Sequence, residues 1–354
     1  MNNNSKISSL SICFLSSFLY RSFYIIGFFN LIISISQSDS IFSIIFGSIL
    51  GMILLGIYFY LNNRRTNENI FEKVNSTIPK IIAIFINTLL IVLFTFIASF
   101  ILYNLSLFIN YNLLNDIDII PISTLLILTS IYLVSKGINT ITRVSGILIF
   151  TFITLSIISF ITLVTYSSPS NLYPLLTKNF TTITIGSIYS SIISVTPIFL
   201  LLIIPKDKIE SNKKYKKYML ITYIVNSFYL LISFILILSI LGIKLTSILK
   251  YPDIVALQKV SLLNFVQRIE DLLSFKVMFD GFISLSLMLF YVKEGTTVIY
   301  KIRPNKKIIF VVGIITLILS LYLKMTNINL VFYLFLIILF IHLLLMLSLK
   351  EKKP

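Results

Sequence analysis

Charge is what this sequence lacks most. Only 12% of its 354 residues are Asp, Glu, Lys or Arg, where soluble domains run near a quarter, so there are too few polar groups to cover a water-soluble globule of this size. Cysteine is almost absent as well, and Cys13 alone excludes an internal disulfide and any multi-cysteine metal centre. The one histidine, His342, lies in the last apolar run; a zinc site needs three or four ligands, so it reads as a helix-packing residue. A membrane enzyme would need paired acid–base groups or a metal. One Cys, one His and a single Asp deep in an apolar run do not make such a set, so no catalytic residue, metal or cofactor is assigned.

What fills the chain instead is apolar: 57% of residues, with mean hydropathy +0.99. The runs are apolar all round rather than alternating, which favours helices over strands, and each is near the ~20 residues that cross a bilayer. We read residues 1–354 as a single integral membrane domain, an all-α polytopic membrane protein of ten transmembrane helices, at about 8–34, 40–61, 79–104, 119–135, 142–165, 182–204, 218–241, 268–292, 308–324 and 329–349. The first run is too long for a cleaved signal peptide and no small-residue cleavage site follows it.

The basic residues orient these spans. With the N-terminus inside, the inner segments carry 21 Lys and Arg and the outer segments 6, which by the positive-inside rule places both termini in the cytoplasm. The Lys-rich stretch "KDKIESNKKYKKY" is then a cytosolic loop beside anionic lipid headgroups, not a nucleic-acid site. The longest stretch between spans is outer, about residues 243–267. After Pro252, suited to a helix start, apolar residues recur at Ile254, Leu257, Val260, Leu263 and Val266. That spacing predicts a helix lying in the outer interface, or a lid packed on the bundle.

Several segments carry a resemblance. "YPDIVALQKVSLLNFVQRIEDLLSF", with Tyr251-Pro252, Val260-Ser261 and Arg268-Ile269-Glu270, is similar to the segment after the seventh helix of the spore-germination receptor B subunits, the endospore germination permeases. "YLVSKGINTITRVSGIL", with Gly137 and Arg143, resembles that family's turn between helices four and five, and "NLYPLL" its approach to helix six. The opening "KISSLSICFLSSF" and Asp39 also fit. The order and spacing of these segments hold over nearly the whole chain. The resemblance implies a branch of the amino acid–polyamine–organocation superfamily with a five-plus-five inverted-repeat transporter fold. It places the ligand near the midplane, where helices one and six break. It implies a germinant sensor, often for amino acids, in the inner membrane of the spore, working with an A subunit and a C-subunit lipoprotein.

The first helix departs from that pattern. Relatives carry small residues and a Pro in its outer half, where this chain has Arg21, Ser22, Tyr24 and Phe29, with Gly27 its only glycine. Residue types that open a backbone cradle are few there. Helix six keeps more of them, including Gly186, Ser187, Ser190, Ser191, Thr196 and Pro197, so that Pro197 marks either a ligand cradle or a simple kink. Candidate ligand residues are therefore Arg21, Ser22, Gly186, Ser187, Ser190, Thr196 and Asp280.

Three ionisable groups lie inside spans: Arg21, Lys276 and Asp280. Each costs ~2.5–3.5 kcal/mol on insertion scales, so such groups rarely face lipid. Arg21 lies about 21 Å from the inner boundary and Asp280 about 18 Å from the outer one at ~1.5 Å per residue, near the middle of a hydrocarbon core about 30 Å thick. In the implied fold helices one and eight are neighbours, so the three can form one cluster. It serves as a structural ion pair, as a carboxylate site in which Arg21 replaces the glycine cradle by bidentate pairing, or as a fixed cation where a transporter would bind sodium. Arg268, Glu270 and Asp271 at the mouth of helix eight, and Arg143, read as structural or gating residues. Two functions follow: a nutrient-sensing receptor subunit, favoured by the glycine-poor first helix, or a secondary transporter of amino acids or related solutes. A scaffold subunit that binds no ligand is a further reading.

Overall fold

The computed structural model describes residues 6–114, 116–175, 177–210, 212–259, 269–301, 306–324 and 326–349. Among these the regular structure is helical, apart from one backbone bridge between Ile7 and Ile209.

The first apolar run does not form the single helix expected over 8–34. Helix α1 (Ser9–Arg21) begins on Ser8, whose Oγ accepts from the Ser11 N–H at 3.2 Å. The chain then passes through a π-helical turn, Tyr24–Phe28, and resumes as α2 (Phe29–Ser36). Gly27 sits in that turn at φ +95°, a conformation that strains any residue with a Cβ. A methyl at Gly27 would meet only Ile328 Cγ2, at 4.0 Å, so Gly27→Ala isolates the backbone term. We expect it to lower stability by about 1–2 kcal/mol, read as a lower Tm with unchanged helix content.

The sixth run is interrupted too. Helix α8 (Phe180–Val195; intervening helices below) gives way to a 3-10 segment, Thr196–Ile203, in place of a continuous helix over 182–204. Pro197, at the start of that segment, supplies no N–H to continue the α ladder. Between the two breaks run α3 (Ser40–Asn63), α4 (Ile70–Thr77), α5 (Lys80–Asn112), α6 (Ile119–Ser135) and α7 (Ile138–Thr165). After the second come α9 (Asn212–Ile248), bent at Gly242, then α10 (Pro252–Gln258), α11 (Ile269–Tyr300), α12 (Lys306–Leu323) and α13 (Ile328–Ser348).

Seven helical stretches, the first being Phe29–Asn63, are long and apolar enough to cross a membrane, and Ile119–Ser135 and Lys307–Leu323 are shorter apolar helices. Large apolar side chains point outward along them, among them Ile53, Phe85, Leu125, Phe150 and Leu347, as in a multi-pass membrane protein. The interior is lined by small polar residues that let helices approach closely. Helix α3 runs along α8, α5 along α11, and α1 is enclosed by α7, α9 and α11. At the α3–α8 contact a Cβ on Gly47 would lie 2.7 Å from Ser190 Cβ, and one on Gly186 would collide with the hydroxyls of Ser36 and Ser43.

Outside the spans, α4 is held by a capping box: Asn69 Oδ1 accepts from the Glu72 N–H at 3.0 Å, and Glu72 Oε2 from the Asn69 N–H at 2.8 Å. The same helix buries Lys73, whose Nζ donates to the Leu61 carbonyl at the end of α3, at 2.9 Å. Burial pushes this ammonium down to about 8 from 10.5, against the attraction of Glu68 and with the repulsion of Lys206. Between those two pH values the unfolded chain keeps a proton that the folded chain has released, so this group makes stability rise with pH. Comparing Tm of the natural chain with Lys73→Met at about pH 7 and about pH 9.5 is expected to show the natural chain gaining on the variant. A difference that does not change with pH would remove Lys73 as the cause.

Candidate functional site

Arg21 ends α1 at the point where the first segment is interrupted, and it is buried. Its charge is met from α11: Nη2 donates to Asp280 Oδ1 at 2.9 Å, and Nε to Oδ1 and Oδ2 at 3.1 and 3.3 Å. From α9, Asn226 Oδ1 accepts from Nη1 at 2.6 Å. The amide NH2 of Asn226 donates to Ser17 Oγ and to the Thr222 carbonyl, which fixes the amide with its oxygen toward the guanidinium. The guanidinium also lies 3.7 Å over the Phe152 ring of α7, a cation–π contact. Three helices therefore converge on the cation that α1 carries, and each supplies an interaction that a guanidinium can use.

Next to this pair is a chamber of about 60 Å³. Arg21, Tyr24 and Phe29 of the interrupted segment, Ser159 and Phe160 of α7, Tyr229 and Ser233 of α9, Lys276 and Asp280 of α11, and Asp253 and Ile254 of α10 line it. A wider cleft, about 480 Å³, lies on the other side of Arg21, Phe152, Phe160 and Tyr229. That cleft is walled by outward-facing apolar residues such as Ile153, Val225 and Phe228. The charges converge in the chamber, so the chamber is the candidate site, and the cleft is an apolar surface toward lipid.

Helix α10 covers the chamber. Its Ile254, Ala256 and Leu257 are buried against the bundle, and the preceding Tyr251 ring meets Phe108 edge-on at 5.2 Å. Burial pushes the Asp253 carboxyl above its ordinary range, and the Lys276 charge draws it partly back. The Lys276 ammonium donates to Ser159 Oγ. This constellation has hydrogen-bonding groups and charges of both signs in a small enclosed space. It suits binding of a small polar solute.

A family model described as "Spore germination protein", for the spore permeases, matches residues 6–329. The chain belongs to that family. It is similar to spore germination protein KB of Bacillus subtilis (strain 168), with 23% identity over 293 residues that make up 81% of this chain and 78% of that protein. Spore permeases are permease- or receptor-type membrane proteins, and the described residues hold no cluster of three or more His, Cys, Asp or Glu placed for a metal.

In this spore permease the residues proposed from sequence separate into groups. Arg21 and Asp280 are paired, and Lys276 lines the same chamber. Ser22 faces away, its Oγ on the Leu19 carbonyl at 2.8 Å, beside a separate small cavity with Asn104 and Gly281. Gly186, Ser187 and Ser190 lie on α8 where it meets α3, and neither they nor Thr196 line the chamber. The Thr196 hydroxyl is buried without a hydrogen-bond partner. Arg143 is exposed near the N-terminal end of α7, beside Lys6 and Glu210. Arg268 lies outside the described residues, as do Val260 and Ser261 of the motif read beside it; Glu270 and Asp271 open α11, where acidic side chains favour the helix dipole.

Two site residues were missed. Asn226 is a lone amide in the apolar run over 218–241, and the cost of burying an amide without hydrogen-bond partners was the available signal. Asp253 follows Pro252, where an acidic residue is ordinary for a helix start, so nothing local set it apart.

Proposed function

We propose that this chain is the membrane-embedded subunit of a spore germinant receptor, sensing a small nutrient molecule such as an amino acid. It acts in the inner membrane of the spore, with both termini cytoplasmic, beside an A subunit and a C-subunit lipoprotein. Family membership supports this reading, and the observation that carries it is the charged chamber enclosed under α10 at the interruption of the first segment. We further take the fold as ten spans in a five-plus-five inverted repeat. The breaks at Gly27 and at Thr196–Pro197 support it, since they fall in the first and sixth crossing segments, where such repeats interrupt their helices.

The same two breaks favour a second reading, a secondary transporter. The scarcity of glycine in the first segment no longer weighs against it, because Gly27 alone provides the interruption. Reconstituted vesicles separate the two. A receptor subunit is expected to bind its solute saturably without concentrating or exchanging it across the vesicle membrane. Counterflow of labelled amino acid by the purified chain would establish the transporter instead.

A further inference from the structure

The four charges of the chamber are not equivalent. Arg21 and Asp280 neutralise each other at 2.9 Å, and Asn226 and Phe152 occupy further faces of the guanidinium. Asp253 and Lys276 are different. Asp253 Oδ1 is shielded from solvent and has no hydrogen-bond partner, a state that is costly for a buried acceptor. Lys276 Nζ has three N–H bonds to give and donates to Ser159 Oγ. The two side chains come from different elements, α10 and α11, and both open into the chamber.

We propose that the chamber binds a small zwitterion, with the Asp253 carboxylate holding its ammonium group and the Lys276 ammonium holding its carboxylate. This assignment rests on the germinant-sensing reading and gives it an address: the space under α10, not the helix six face around Gly186 and Ser190. Charge balance selects the ligand class. Among the described residues two cations and two anions face the chamber, so a ligand of net charge would leave one buried charge uncompensated, which is expensive in a dry site. A zwitterion satisfies the open Asp253 oxygen and the remaining Lys276 donors together and keeps the sum at zero. Size points the same way. The chamber is about 60 Å³, where a single water needs about 10–15 Å³, so its occupant has only a handful of heavy atoms. A ligand held from both sides also ties α10 to α11.

The test uses the full chain in lipid nanodiscs and titrates a panel of small amino acids, each with its decarboxylated amine and its deaminated acid. At least one amino acid is expected to bind the natural chain about tenfold or more tightly than either truncated analogue. Asp253→Asn is expected to weaken the amino acid by about tenfold while leaving the acid within about twofold, and Lys276→Met to weaken it similarly while sparing the amine. A misfolded variant would lose both analogues, so the crossed pattern separates a lost contact from a lost fold. If an amino acid binds and both variants keep its affinity, the site assignment falls and the sensing reading stands. If the natural chain binds amines or acids but no zwitterion, the assignment also falls. If it binds no panel member, both fall.

Discussion

Replacing Asp280 with alanine is expected to cost about 3–5 kcal/mol of stability, because it strands the Arg21 guanidinium without its counter-charge in a buried site. Arg21→Met in the same chain is expected to return most of that loss, since exchanging both members of a buried pair for apolar groups is often close to neutral. Neither member can be rescued by snorkelling: Arg21 is enclosed by α7, α9 and α11, and both side chains are only 4% exposed. The measurement is a double-mutant cycle on thermal unfolding in a fixed detergent. An Asp280→Ala chain as stable as the natural one would mean that Arg21 finds another acceptor. Of the three roles open to the cluster, the geometry favours the structural pair. The guanidinium edge that Arg21 would offer to a ligand carboxylate already faces Asp280, at Nη2 and Nε alike. A fixed-cation role adds nothing that this pairing leaves unexplained.

Gly186→Val is expected to have an effect of comparable size through a different cause. The added side chain would run into Ser36 Oγ and Ser43 Oγ, where those hydroxyls bond each other at 2.7 Å. Ser43 also donates to the Ile183 carbonyl at 3.2 Å and Ser36 to the Thr182 carbonyl at 3.1 Å. The clash therefore separates α3 from α8 and breaks the hydroxyl contacts that bind α2 and α3 to α8. Overpacking of this kind typically costs 1–3 kcal/mol, and more where polar groups lose partners, as here, where about 3 kcal/mol is reasonable. Low recovery of folded protein and a reduced Tm, with normal ligand affinity in whatever folds, would mark a packing residue. A full-strength Tm with lost binding would return Gly186 to the ligand site.

The pairing of Arg21 with Asp280 was legible in the sequence because cost makes such residues informative. An ionised group in an apolar run must find a partner, and depth along each run narrows the choice to groups at the same level. The interruption of the first segment was less legible. Its cause is one glycine at positive φ, and a count of small residues gives little weight to one residue. Gly186, Ser187 and Ser190 suggested a cradle because close helix packing and backbone cradles draw on the same small residue types; only the α3–α8 contact tells them apart. Asp253 could not be read locally at all. Its position over the chamber depends on how α10 folds back against α9 and α11, which no periodicity in the segment encodes.

The most direct test of this account is an experimental map of the full chain in lipid nanodiscs with its bound amino acid. Ligand density is expected under α10, with the ammonium against Asp253, the carboxylate against Lys276, and Arg21 still on Asp280. Density along α8 beside Gly186 and Ser190, or a ligand carboxylate on Arg21 in place of Asp280, would contradict it.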